Sequence, residues 1–105
     1  MVFEILYPAA QQNELILIDG GMCHFHLRRD GQLTIRTIIS TKLGSGSTML
    51  SMLEAVEGAI FLYAKCPTDL PSNAWYQKKG FSLDKVETTP SGRQLNCWKK
   101  PLCKE

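Results

Sequence analysis

Three β-prone runs separated by tight turns occupy residues 14–41. The run 14–18 ends at an Asp-Gly-Gly turn, and the run 22–28 ends at an Arg-Asp-Gly turn that leads into the run 32–41. Turns of this composition between β-prone runs are typical of β-hairpins, because glycine adopts the positive φ angles that tight turns need. The pattern therefore predicts three antiparallel strands in meander order.

A helix and a buried strand are predicted next. Met49, Met52, Leu53 and Val56 have the i, i+3, i+4, i+7 spacing of an amphipathic helix, so we expect them to form its buried face. The continuous apolar run 59–65 is typical of a central strand that is covered on both faces. A helix between two strands of one sheet makes a crossover, so this strand should lie parallel to the strand before the helix.

The C-terminal third predicts a short helix and a final hairpin. Pro67 cannot donate a backbone hydrogen bond, so we expect the sheet to part there. Residues 73–79 are expected to form a helix that stops at Gly80. The runs 81–87 and 94–99 flank a Thr-Thr-Pro-Ser-Gly turn, which predicts two antiparallel strands.

Together these elements predict an α/β (α+β) fold with the order β-β-β-α-β-α-β-β. The sheet should be mixed, mostly antiparallel and twisted, with a central β-α-β crossover. A length of 105 residues fits one domain that spans residues 1–105. Ahead of the meander, residues 2–6 are a candidate short strand and residues 9–13 a turn or short helix.

Composition narrows the classes of partner. The hydrophobic fraction is 44%, the charged fraction 21% and the net charge +2, which are ordinary values for a globular domain. So small a charge favours neither nucleic acid nor an anionic membrane as a partner. The four cysteines have no C-x-x-C spacing, so we expect no metal site. Without a basic leader or a long apolar run, we expect a reduced, cytoplasmic protein.

A glycine-rich turn at residues 41–48 connects a predicted strand to a predicted helix. Free N–H groups and the positive end of the helix dipole meet there, which makes an anion site suited to phosphate. A P-loop needs a lysine directly after its last glycine, and none follows Gly46. A dinucleotide-binding fingerprint needs a small third residue where Met49 stands. Both of these interpretations fail.

A second segment bears on the interpretation of the glycine turn. It reads Ser-Asn-Ala-Trp-Tyr-Gln-Lys-Lys-Gly-Phe at residues 72–81. Gly44 and Gly46 after the third strand, together with Tyr76 ahead of a Gly-Phe pair, resemble the two signature motifs of the GNAT superfamily of acyl-CoA-dependent N-acetyltransferases. Thr41 stands where that family has Gln or Arg. The resemblance covers residues 14–100.

The resemblance implies a splay between the two parallel central strands, with acetyl-CoA as acyl donor. Backbone groups of the third strand would pair with the pantetheine arm, as an added strand does. The glycine turn would hold the pyrophosphate on its N–H groups. The cofactor-binding residues so implied are Ile38, Ile39, Ser40, Leu43, Gly44, Ser45, Gly46, Ser47 and Asn73.

The implied reaction is direct transfer of an acetyl group to an amine. Tyr76 is the candidate general acid for the thiolate, with packing in an aromatic cluster as the alternative. Many relatives carry a Glu in the third strand, which here has no carboxylate. His24 and His26 share one strand face and are candidate bases, although strand histidines are more often structural. Arg36 could hold an acidic group of the substrate, and Cys66 is expected to be a core residue.

Typical relatives carry a strand and two helices before the meander, which form a wall of the acceptor site. This chain has about a dozen residues there. Either a homodimer partner completes the wall, or the acceptor is large, or acyl-CoA is bound without catalysis. The predicted function is therefore N-acetyltransferase acting on an amine of a small molecule or a protein. The alternatives are a non-catalytic acyl-CoA-binding module or a protein-interaction module.

Overall fold

The computed structural model describes residues 14–102, which form one six-stranded sheet and two helices. The predictions for residues 2–6 and 9–13 lie outside the described residues. All eight elements predicted within the described part are confirmed. In chain order they are β1 (Leu15–Ile18), β2 (Gly21–Leu27), β3 (Gln32–Ser40), α1 (Ser45–Glu54), β4 (Phe61–Pro67), α2 (Ser72–Lys78), β5 (Ser82–Thr88) and β6 (Gln94–Pro101).

The strand order across the sheet is β1-β2-β3-β4-β6-β5. The only parallel pair described is β3 with β4, joined by the α1 crossover, and every other neighbouring pair is antiparallel. This confirms the mixed, mostly antiparallel sheet. No helix within residues 14–102 has the length and apolar character needed to cross a membrane.

The two parallel strands separate half-way along their length. Their pairing runs from Gln32 opposite Phe61 to Ile35 opposite Ala64 and then stops, although β3 continues to Ser40. The predicted splay is thus confirmed. The prediction that the sheet parts at Pro67 is wrong, since Pro67 still lies opposite Leu95 of β6. The strands that part are β3 and β4, after Ile35 and Ala64.

A β-bulge in β3 lies at the point of separation. Phe25 of β2 lies opposite Ile35, but its neighbour His24 lies opposite Thr37, so Arg36 has no partner on β2. A bulge bends its strand and increases the local twist. Because this bulge directly follows the last pair between β3 and β4, it turns the end of β3 away from β4.

Both helices cover the same face of the sheet, and the core lies between them and that face. Helix α1 packs on β1, β2 and β3, while α2 packs on β4 and β5. Met49, Leu50 and Leu53 of α1 are buried. Met52 was expected in the core but is 42% exposed, because the buried face of the helix runs through the other three positions.

The end of α2 explains the spacing of the Tyr-x-x-x-Gly-Phe motif. Gly80 has φ of 93°. Its N–H donates to the Gln77 carbonyl at 3.2 Å, and the Phe81 N–H donates to the Tyr76 carbonyl at 3.1 Å. These two bonds define a Schellman cap, whose usual apolar contact is made by the Tyr76 and Phe81 rings at a centroid distance of 5.2 Å.

We predict that Gly80→Ala lowers the free energy of unfolding by about 1–2 kcal/mol, because a Cβ is strained at positive φ. An added Cβ would meet only the Lys100 side chain at 3.5 Å, so the backbone conformation sets the cost. Gly80→Asn is the matched control, since asparagine tolerates this conformation better and should lose less. Urea unfolding measures both, and equal losses would contradict the assignment.

Candidate functional site

A cavity of about 370 Å³ occupies the gap between the separated ends of β3 and β4. Arg36 and Ile38 line it from β3, Lys65 and Cys66 line it from β4, and Tyr76 closes it from α2. The gap in backbone pairing is therefore a cleft, with a strand on each side and α2 closing it from the helix face of the sheet.

A second cavity, of about 390 Å³, lies at the glycine turn. Gly46 and Ser47 from the start of α1 line it, together with three lysines: Lys42, Lys78 and Lys79. Ser40, Gly46 and Trp75 line both cavities, so the two join into one groove that runs from the splay to the start of α1.

The glycine turn presents free donors to the second cavity. Gly44 has φ of 85° and directly precedes α1. Within residues 14–102 the N–H groups of Gly46 and Ser47 have no acceptor, as expected for a first helical turn. The N–H of Ser45 instead donates to the Lys42 carbonyl at 3.2 Å, so it is used inside the turn. The N–H groups of Gly46 and Ser47 are therefore free to bind an anion, and the anion site stays a prediction.

Close packing of the two helices explains why position 46 is a glycine. An added Cβ there would lie 3.2 Å from Cζ2 of Trp75. Gly46 thus lets α1 and α2 approach each other, and this approach brings Lys79 to Ser47, with Nζ donating to Oγ at 2.6 Å.

The three lysines of the second cavity were not among the binding residues predicted from the sequence. Lys78 and Lys79 are separated from Lys42 by more than thirty positions in the chain and meet it only because α2 docks on α1. Lys42 also contacts the Asp19 carboxylate. The adjacent Lys-Lys pair at the end of α2, so near the Gly-Phe motif, is the one local signal that could have indicated them.

Tyr76 is compatible with both interpretations that the sequence left open, and its catalytic role stays a prediction. Its ring makes edge-to-face contacts with Trp75 and Phe81, each at a centroid distance of 5.2 Å. The residue is 94% buried, yet it lines the splay cavity, and its hydroxyl forms no hydrogen bond to residues 14–102. Burial, followed by the Cys66 and Cys23 thiols, raises the pKa of Tyr76 to about 12.

Asn73 has a structural role. Its Nδ2 donates to the carbonyls of Pro67 and Leu70, each at 2.8 Å. Its Oδ1 accepts from Asn96 Nδ2 at 3.0 Å and from Trp98 Nε1 at 2.9 Å. The side chain thereby ties the loop before α2 to β6. A contact from Asn73 to a cofactor stays a prediction and requires one of these bonds to be exchanged.

The predicted bases do not lie in the groove. His24 is buried in β2 opposite Thr37, and neither His24 nor His26 lines either cavity. Nδ1 of His26 lies 2.6 Å from Oε1 of Glu14. A catalytic role for either histidine stays a prediction.

The other predicted residues divide between the groove and its surroundings. Ile38 and Ser40 line the splay cavity, whereas Ile39 lies outside it and is 48% exposed. Leu43 lines the second cavity and is fully exposed. Cys66 is buried as expected, and burial raises the pKa of its thiol. Within residues 14–102 no three His, Cys, Asp or Glu side chains are grouped to hold a metal.

No protein-family model and no curated protein matches the chain, but solved structures do. A GNAT-family acetyltransferase from Bacillus cereus ATCC 10987 aligns with a TM-score of 0.79 at 11% identity, over 96% of this chain and 79% of that one. An acetyltransferase of the GNAT family from Desulfovibrio desulfuricans aligns at 0.70 and 16% identity, over 80% of this chain. The chain has the GNAT fold.

The alignments extend to a structure with bound cofactor. RimL, a ribosomal L7/L12 alpha-N-protein acetyltransferase, was solved with coenzyme A in a disulfide with a cysteine, and it aligns with a TM-score of 0.65 at 14% identity over 78% of this chain. The chain spans 62% of the length of the Desulfovibrio protein and 55% of that of RimL.

We predict that alkaline pH destabilises the native state partly through Tyr76. An unfolded tyrosine loses its proton near a pKa of about 10, whereas folded Tyr76 keeps its proton to about 12. Between these values the native state binds more protons than the unfolded state, so the free energy of unfolding falls as pH rises.

Urea unfolding of the wild type and of Tyr76→Phe between about pH 8 and about pH 11 tests this prediction. The Phe variant should lose less stability over that range. Some loss should remain in both proteins, because burial also raises the pKa of Cys23 to about 12. Parallel losses in the two proteins would contradict the assignment.

Proposed function

We propose that the protein transfers an acetyl group from acetyl-CoA directly to an amine. The observation that carries the proposal is the single groove that joins the splay cavity, under the free Tyr76 hydroxyl, to the lysine-lined glycine turn. One end suits the phosphates of a cofactor, and the other brings the reacting groups under the Tyr76 hydroxyl. The GNAT fold of the chain supports the same function.

The groove has groups for each part of the cofactor. The N–H groups of Gly46 and Ser47, with the three lysines of the second cavity, would hold its phosphates. The end of β3 beyond Ile35 lacks a partner on the β4 side, so its backbone can pair with the amides of the pantetheine arm. The RimL complex with coenzyme A supports acetyl-CoA as the ligand of this groove.

Tyr76 has the properties of a proton donor to the leaving thiolate. Its raised pKa keeps the phenol protonated at neutral pH. The hydroxyl has no competing partner among residues 14–102, so it is free to donate into the splay cavity. The amine must lose its own proton, and His24 or His26 could take it only through water, since neither lines the groove.

A non-catalytic acyl-CoA-binding module is the second candidate. It is favoured by one observation: among the described residues that line the two cavities there is no carboxylate to act as a base. It predicts cofactor binding without transfer to any amine.

The acceptor, on a small molecule or a protein, would reach the splay from the sheet face opposite the helices. We propose that a second copy of the chain helps to cover that face, in a cytoplasmic homodimer. Leu17, Met22 and Ile39 are in register across β1, β2 and β3 on that face. Leu17 is 68% exposed and Ile39 is 48% exposed, which supports an apolar contact there.

We predict that acetyl-CoA raises the thermal stability in a saturable way, with a gain of about 2.7 kcal/mol at 100 times Kd. Lys79→Gln should weaken binding about three- to tenfold, because one charged contact to phosphate is lost. Lys85→Gln on β5 is the matched control and should bind like the wild type. No stabilisation at millimolar acetyl-CoA would exclude the proposed function.

We predict that Tyr76→Phe lowers kcat by about 10²–10⁴-fold, because only the hydroxyl is removed. The ring contacts with Trp75 and Phe81 should remain, so stabilisation by acetyl-CoA serves as the control. The measurement is release of free coenzyme A thiol with an amine that the wild type accepts. An unchanged kcat would leave Tyr76 with packing alone.

A further inference from the structure

Two cations flank the point where β3 and β4 part. Ile35 and Ala64 are the last paired residues, and Arg36 and Lys65 come next on each strand. Both line the splay cavity. One positive side chain therefore stands on each arm of the splay, beside its closed end.

These cations are separate from those of the glycine turn. Neither Arg36 nor Lys65 lines the second cavity, where the three lysines lie. The groove thus has two groups of cations, one at each end. The phosphates of a cofactor account for the group at the glycine turn, but the pantetheine arm that would lead to the splay carries no charge. The closed end of the splay is left with positive charge that the cofactor does not use.

The charge of Arg36 is not compensated within the described part of the chain. No carboxylate in residues 14–102 pairs with Arg36, which is exposed. Lys65, by contrast, pairs with Glu87 at 2.9 Å. No Asp or Glu among the described residues lines the splay cavity. A free arginine fork offers two parallel N–H donors, a geometry that matches a carboxylate.

This electrostatic pattern selects among amines. A purely cationic amine would meet the uncompensated charge of Arg36 and no carboxylate among the described lining residues, which disfavours its ammonium form in the site. An amine that also carries a carboxylate would pair that group with Arg36.

We propose that the acceptor is an amine that carries a carboxylate, and that Arg36 binds this carboxylate at the closed end of the splay. The inference rests on the proposed transferase function for the reaction, but carboxylate binding itself needs no turnover. A small amino acid and a peptide with an acidic residue beside its N-terminus share this chemistry. The experiment distinguishes the two.

The test compares two pairs of compounds that differ only in the carboxylate. One pair is γ-aminobutyrate and γ-aminobutyramide, and the other is the peptide amides Ala-Glu-Ala and Ala-Gln-Ala. Their binding is titrated by amide NMR shifts, on the protein alone and with coenzyme A. In at least one pair the carboxylate should bind about tenfold tighter or more, as a charge-assisted contact implies. The pair that responds identifies a small or a peptide acceptor.

Variants assign the preference to a residue. Arg36→Gln should abolish it and Arg36→Lys should keep part of it. Lys65→Gln should keep it, because Glu87 already compensates the charge of Lys65. Arg29→Gln is the matched control: it removes the same charge from the exposed β2–β3 turn, outside both cavities, and should keep the preference. Stabilisation by acetyl-CoA should be the same in Arg29→Gln as in the wild type, because Arg29 lines neither cavity.

The inference would be overturned if the wild type bound the two compounds of each pair with equal affinity. A preference for the carboxylate that survives Arg36→Gln would also overturn it. Failure of the transferase proposal has a different signature, namely no stabilisation of the wild type by acetyl-CoA. The titrations on the protein alone still measure the carboxylate preference in that case.

Discussion

The separation of β3 from β4 is the constraint on which the rest of the site depends. Parallel strands normally pair along their length, and breaking that pairing leaves backbone groups without partners. Here Arg36 is the extra residue of a bulge that directly follows the last paired position, so the strand bends where pairing stops. Pairing of β4 with β6 continues to Pro67, which keeps the other arm in the sheet. The cleft is therefore built between one bent arm and one fixed arm.

Helix packing converts that cleft into a groove with two distinct ends. Because Gly46 lacks a side chain, Trp75 can approach α1, and Lys79 reaches Ser47. Helix α2 also carries Tyr76 over the splay, and the cap at its C-terminal end holds the Tyr76 ring against Phe81. Asn73 holds the start of this helix to β6. Helix α2 thus positions two of the three lysines at one end of the groove and the phenol at the other.

The order of elements could be predicted from the sequence because each depends on local patterns. Turn residues, alternation and helical spacing are readable within a few positions. The bulge at Arg36 could not be predicted, since the β3 sequence alternates normally and only its register with β2 shows the extra residue. Met52 was misassigned because spacing alone does not say which edge of an apolar stripe meets the sheet. The two glycines of the turn and Tyr76 could be identified from motifs. The grouping of the three lysines could not, because it depends on the docking of two helices.

The two tryptophans lie in different parts of the protein, so their fluorescence reports on the groove and on the core. Trp75 stands at the junction of the two cavities and is only partly buried, so anything that enters the groove changes the polarity around its indole. Trp98 is buried in the core, and its indole N–H is bonded to Asn73. Because the chain has only these 2 tryptophans, a change in emission on ligand addition would come from the groove, and a change on unfolding from both. Occupancy of the site and integrity of the fold can therefore be followed in one unlabelled sample.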